Sequence, residues 1–187
     1  MSILRGYFPE SGEAQNVLEA ANASLAEALA GGDLDERTAS VVEHLKAGLT
    51  PRNILGLTEA HLDALVMQAS QFMAYGQLEK ARDILLQAHQ LDPLYAKALF
   101  AIGTTYQMEG DLRRAAHFFM HFLALDATNG DGYLRLGECL MAAGELPEAR
   151  DALGAAKAFA LEGKGRPETV AQADRLLAVL DAPPPLS

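Results

Sequence analysis

The sequence predicts an all-α fold: a superhelix of three helix–turn–helix repeats with an N-terminal helical arm and a C-terminal capping helix. Three observations predict it. Gly76, Gly110 and Gly144 recur every 34 residues, and Leu78, Leu112 and Leu146 recur in step with Ala81, Ala115 and Ala149. A small column (Ala69, Gly103, Gly137) and a large one (Leu85, Phe119, Leu153) keep the same interval. The chain is also 50% hydrophobic without a single Trp, and the Ala and Leu that dominate it favour helix.

Residues 1–11 carry no periodicity and are expected to be disordered. Ser11 is placed to cap a helix reaching about Ala30, with Leu18, Ala21, Leu25 and Leu29 as its stripe. Gly31-Gly32 stops it. A second helix, about Leu34 to Lys46, carries Val41, Val42 and Leu45 on one side and ends at Gly48. Residues 1–48 thus read as a helical arm whose narrow stripes suit docking, on the repeats or on a second copy of the chain.

Thr50-Pro51 reads as an N-cap followed by Pro at the first helical position. Ile54, Leu55 and Leu57 make a short apolar turn before Thr58, a second cap. The repeats are then expected at 62–95, 96–129 and 130–163, within a domain of 49–181. Their period and small–large pattern resemble the tetratricopeptide repeat. In each unit the first helix presents large residues at unit positions 4 and 11: Leu65 and Phe72, Leu99 and Tyr106, Tyr133 and Leu140. The small residue at position 8 lets the second helix approach, and that helix answers with Ala at position 20 and a large residue at 24. Neither helix buries its face alone, so stability comes from stacking. The recurring Gly between them supplies a left-handed helix end. Leu91-Asp-Pro93 stops the first repeat. After Gly163-Lys164-Gly165, Pro167 opens a capping helix to about Asp181, with Val170, Ala173, Leu177 and Leu180 on one stripe. Residues 182–187 form a Pro-rich tail.

A formal net charge of −10 argues against nucleic acid and anionic membrane surfaces, both of which reward basic patches. The single Cys139 excludes an internal disulfide framework and fits a reducing compartment. Met1-Ser-Ile-Leu-Arg-Gly-Tyr-Phe-Pro9 lacks the apolar run of a signal peptide, and no window approaches the roughly 18 apolar residues of a membrane span. These features predict a soluble cytoplasmic protein without membrane insertion.

No catalytic constellation emerges, so neither an enzyme nor a cofactor is expected. His117 and His121 have the four-residue spacing that can clamp a metal, but no Glu follows His117 and no third ligand is near, so they read as solvated histidines. Cys139 reads as a structural thiol because no His partner can be placed beside it. Gly163-Lys164-Gly165 lacks phosphate-loop spacing and reads as a connector.

The face of the first helices is more telling. At 100° per residue, unit positions 2, 5, 9, 12 and 13 fall within an arc of about 100° turned away from the packing positions. This face holds Val66, Ser70 and Met73, then Phe100, Thr104, Gln107 and Met108, then Leu134, Glu138 and Met141. Asp63, Lys97, Asp131 and Arg135 are interspersed. Such an apolar, Met-bearing floor with a charged rim suits adaptable hydrophobic recognition. The alternative is that these side chains meet the N-terminal segment or the capping helix.

Three stretches narrow the resemblance: Leu45-Lys-Ala-Gly48 at a fixed distance before Leu62, Tyr75-Gly-Gln-Leu-Glu-Lys-Ala81, and Gly137-Glu-Cys-Leu-Met-Ala-Ala-Gly-Glu-Leu-Pro-Glu-Ala149. With them, about residues 45–181 resemble the class II chaperones of type III secretion, which hold hydrophobic translocator proteins. The resemblance implies a bacterial cytoplasmic chaperone that binds an extended translocator segment along the concave face. By position, its groove residues are Val66, Ser70, Met73, Phe100, Thr104, Met108, Leu134 and Met141. Family members tend to carry aromatics at the first-repeat positions, where this chain has Val66, Ser70 and Met73. Many relatives dimerise through their N-terminal helices, which implies a homodimer through residues 12–46. On this reading Phe100→Asp or Leu134→Asp abolishes binding while the fold survives. A general tetratricopeptide adaptor outside type III secretion shares the fold and the groove and stays open as the alternative.

Overall fold

The structure, a computed structural model, describes residues 49–182. The expected arm helices, their dimerisation role and residues 183–187 of the tail lie outside the described residues. Helices begin where the sequence places caps. Thr50 caps α1 (Pro51–Ile54), its hydroxyl 2.6 Å from Asn53 Oδ1, with Pro51 at the first position. Thr58 caps α2 (Glu59–Ala74), its backbone N–H donating to His61 Nδ1 at 3.0 Å. The chain continues through α3 (Leu78–Leu91), α4 (Ala96–Glu109), α5 (Leu112–Leu125), α6 (Gly130–Ala142), α7 (Leu146–Leu161) and α8 (Pro167–Asp181), so the described residues are all-α.

Helices pair as α2 with α3, α4 with α5 and α6 with α7, and each pair packs on the next. The first helices α2, α4 and α6 also touch in succession, and α8 joins the row against α6. The repeating columns are what lies between the helices. Ala69, Ala81, Ala115 and Ala149 are 0% exposed, as are Leu85, Phe119 and Leu153. The small–large rule has a direct steric basis: a Cβ on Gly103 would lie 2.9–3.1 Å from the Phe119 ring. Gly110 takes φ 81° at the C-cap of α4, where its N–H reaches the Tyr106 and Gln107 carbonyls, and Gly76 and Gly144 share the left-handed region. The leucine column differs from the others. Leu78 and Leu112 are half-buried and Leu146 is exposed, because each opens its helix beside the turn rather than facing the partner helix.

A polar staple crosses three helices in the middle of the stack. Thr105, fully buried on α4, donates its hydroxyl to the Ile102 carbonyl at 2.7 Å and accepts from Arg82 Nε of α3 at 3.2 Å. The Arg82 guanidinium lies 4.1 Å from the Tyr106 ring centre and pairs with Glu109, while Arg114 of α5 lies 4.7 Å from the same ring centre.

The capping helix docks by burial first. Leu134, Leu153, Ala156 and Ala173 form a buried cluster closed by the half-buried Leu176, Leu177 and Leu180. This corrects the expectation for Leu134: at 1% exposure it is core under α8, not groove lining. Phe100→Asp and Leu134→Asp therefore do not act on binding alone, since Phe100 packs on buried rings and Leu134 is itself buried. Polar contacts then orient α8. Asp131 accepts from Arg166 Nε at 3.1 Å and from the Thr169 hydroxyl, and the Gly130 N–H reaches the Lys164 carbonyl at 2.6 Å. The connector Gly163-Lys164-Gly165 is thus tied to the start of α6. No described helix is long and apolar enough to cross a membrane.

Candidate functional site

Between α2, α4 and the α5–α6 connection lies a cleft of about 640 Å³. Five of the eight sequence-derived groove residues meet there: Val66, Ser70 and Met73 from α2, and Phe100 and Thr104 from α4. Phe100 is the floor. It is half-buried and stands edge-on to Phe119 and Phe122, with ring centres 5.5 and 5.1 Å away. Ser70 and Thr104 donate their hydroxyls to the carbonyls of Val66 (2.8 Å) and Phe100 (2.9 Å), so both are satisfied within their own helices. The wall is therefore less polar than its residue types suggest.

The other three groove residues are placed elsewhere. Met108 is 53% exposed on the last turn of α4, outside the cleft. Met141 is half-buried against the main core, and Leu134 is covered by α8. In place of an apolar third-repeat groove, that part of the face is a polar network. Glu138 accepts from Gln107 Nε2 at 2.9 Å and from Arg135 Nη1 at 3.0 Å.

The cleft also takes residues that a wheel of the first helices omits. Phe122 comes from the second helix α5, and Asp126 and Asn129 from the connection after it. No helical periodicity governs that connection, so sequence spacing gave no signal for them. Ala96 and Ala101 also line the cleft and pack against the main core.

One end of the cleft is charged. Lys97 Nζ lies 2.7 Å from Asp63 Oδ1 and 3.2 Å from Glu59 Oε1. The Tyr95 hydroxyl donates to the same Asp63 oxygen at 2.5 Å. Hydrogen bonds from Lys97 and then Tyr95 hold the Asp63 carboxyl below its ordinary range. Burial, then the bond to Asp63, pushes the Tyr95 phenol upward. Asp126 accepts from Asn129 Nδ2 at 2.9 Å.

The remaining candidates are set apart from this cleft. His117 and His121 have ring centres 4.1 Å apart, but His117 is half-buried instead of solvated and packs beside Phe118. Burial and the neighbouring His121 hold His117 below the ordinary imidazole value. Among the described residues no group of three His, Cys, Asp or Glu side chains is placed to hold a metal. Cys139 is fully buried, and burial pushes its thiol up to about 12, so it lacks the thiolate a nucleophile needs.

A tetratricopeptide-repeat family model matches residues 106–162. One curated relative, the human Piezo-type mechanosensitive ion channel component 1, is 35% identical over 68 residues, which span 36% of this chain and 2% of that protein. The fold matches far more broadly. A type III secretion complex from Aeromonas hydrophila superposes with TM-score 0.68 at 22% identity, covering 76% of this chain and 95% of that one. The Yersinia enterocolitica type III secretion translocator chaperone SycD gives 0.65 at 21% identity, covering 70% and 98%. PcrH of Pseudomonas aeruginosa, solved with the chaperone-binding region of PopD, gives 0.62 at 21% identity, covering 67% and 94%. The chain thus has the tetratricopeptide-repeat fold, in the arrangement found in the translocator chaperones of type III secretion.

Proposed function

We propose that this chain is a cytoplasmic chaperone of a bacterial type III secretion system. It holds a hydrophobic translocator by an extended segment laid in the α2–α4 cleft, and so keeps the client soluble and competent for secretion. The observation that carries the reading is the Phe100-floored cleft of about 640 Å³, within the span of about 300–1,000 Å³ usual for ligand sites. A protein of the same fold, PcrH, is solved with the chaperone-binding region of PopD.

The mechanism is thermodynamic. Membrane-seeking segments aggregate because burying apolar surface is favourable by about 25 cal/mol per Å². A chaperone that seats an apolar anchor instead lowers the free client pool by mass action. The groove proposed is Val66, Ser70, Met73, Phe100 and Thr104, with Met108 an exposed continuation along α4. Association of two copies through residues 12–46 belongs to the same proposal.

Co-expression with candidate translocators followed by pull-down tests it. Retention of a client with long apolar segments supports the reading. Retention only of partners without such segments shows a general tetratricopeptide adaptor instead.

A further inference from the structure

We infer that the segment held in this cleft carries a Lys or Arg two residues from its apolar anchor, seated against the carboxylates at the helix-start end of the cleft. This rests on the peptide-binding reading above and adds the ligand's charge to it.

The cleft has two chemically distinct parts. Its floor is apolar, from Val66, Met73 and Phe100. One turn toward the start of α4, the lining becomes Lys97, Asp126, Asn129 and Asp131. The cation in that lining is already engaged, because Lys97 sits between Glu59 and Asp63. Asp131 is answered by Arg166 and Thr169. Asp126 is different: it accepts from the neutral amide of Asn129, and among the described residues no cation pairs with it. Around this end, four carboxylates (Glu59, Asp63, Asp126, Asp131) therefore face two cations (Lys97, Arg166). The net charge of −10 on the whole chain adds to the same field.

Sign and spacing both follow. An acidic segment or a free C-terminal carboxylate would meet uncompensated negative charge here, because the charge of Lys97 is already shared by Glu59 and Asp63. A cation would meet Asp126 at little cost. Lys97 precedes Phe100 by three residues on α4, a rise of about 4.5 Å. In an extended segment, side chains on one face recur every second residue, about 6.6 Å apart. In a segment laid along α4, an anchor over Phe100 therefore brings its second neighbour, on one side or the other, toward the acidic end.

The test uses the full chain and fluorescein-labelled extended peptides with three Leu anchors. Lys, Gln or Glu is placed two residues before or after the central anchor, and binding is read by anisotropy at low and at 0.5 M salt. A surface charge contact of this kind should give the better-placed Lys peptide about two- to fivefold tighter binding than its Gln counterpart, with Glu weakest. High salt should erase the difference, and Asp126→Asn, checked by its melt, should move the Lys-to-Gln ratio toward one. Equal binding of all three charges, or tighter binding of Glu, overturns the inference and leaves the groove standing. Failure of every peptide to bind a folded chain overturns the peptide-binding reading, and this inference with it.

Discussion

Two glycines on facing helices make a controlled pair for testing the packing account. Gly137 of α6 would place a Cβ 2.8 Å from both Cγ and Cδ2 of Leu153, whereas a Cβ on Gly154 of α7 would meet nothing within 4 Å. The added methyl has the same chemistry in both. Within a helix, Ala is better than Gly by about 0.8–1.0 kcal/mol, and Gly154→Ala should realise most of that. At Gly137 the same gain meets an overlap with a side chain that is 0% exposed and cannot swing away. Cγ is not the free end of a flexible chain, so α6 and α7 must separate, and overpacking of this kind costs about 1–3 kcal/mol. Gly137→Ala should therefore end about 2 kcal/mol less stable than Gly154→Ala. Urea melts of both variants with unchanged slope are the assay, and the gap corresponds to about 4–8 °C in Tm for a chain of this size. A Gly137→Ala variant as stable as Gly154→Ala would refute the claim that the small column sets the distance between helices.

Other consequences are independent of that pair. A Cβ at Gly110 meets no neighbour within 4 Å, so backbone strain at φ 81° dominates the cost of Gly110→Val; about 1 kcal/mol or more is expected in a thermal melt. Leu134→Asp buries a charge under α8 and should abolish cooperative unfolding by circular dichroism, whereas Ser70→Glu, at an exposed position, should leave the melt within about 0.5 kcal/mol of the parent. Stability should also depend on acid. His89 is held below the ordinary imidazole value by burial and then by His121, against an opposing pull from Asp92, and His117 by burial and then His121. The unfolded chain then binds these protons more readily than the folded one. The stabilisation is therefore complete above about pH 6.5 and is lost as pH falls through the lowered values. A Tm that drops between pH 7.5 and 5.5, with the drop reduced in His89→Gln/His117→Gln, is the expected result.

What the sequence made legible was whatever repeats. Ala81 and Phe119 stand in columns because each is buried between helices in every unit, and Gly110 because each turn needs the same left-handed helix end, so period alone assigned their roles. The lining of the cleft was legible in its first two units, where Val66, Ser70, Met73, Phe100 and Thr104 follow helical spacing. It failed in the third because the stack ends there. Leu134 stands at the same unit position as Phe100, yet α8 covers it, and a wheel drawn on one helix cannot tell a groove wall from a surface under the next helix. Asp126 and Phe122 were missed for the complementary reason: they reach the cleft from another helix and its connection. His89 beside His121 was missed because their closeness joins α3 to α5, a relation outside any one helix's periodicity.

In the proposed function a client segment lies in the α2–α4 cleft. Calorimetric titration of a co-purified translocator's binding segment into the parent chain and into Ser70→Glu/Thr104→Glu, with matching melts, tests this placement. Both substitutions put carboxylates along the apolar wall without touching the Phe119 and Leu153 core. A loss of at least about tenfold in affinity is expected, consistent with a disturbed anchor worth about 2 kcal/mol. Unchanged affinity in a folded double variant would place the client elsewhere on the protein.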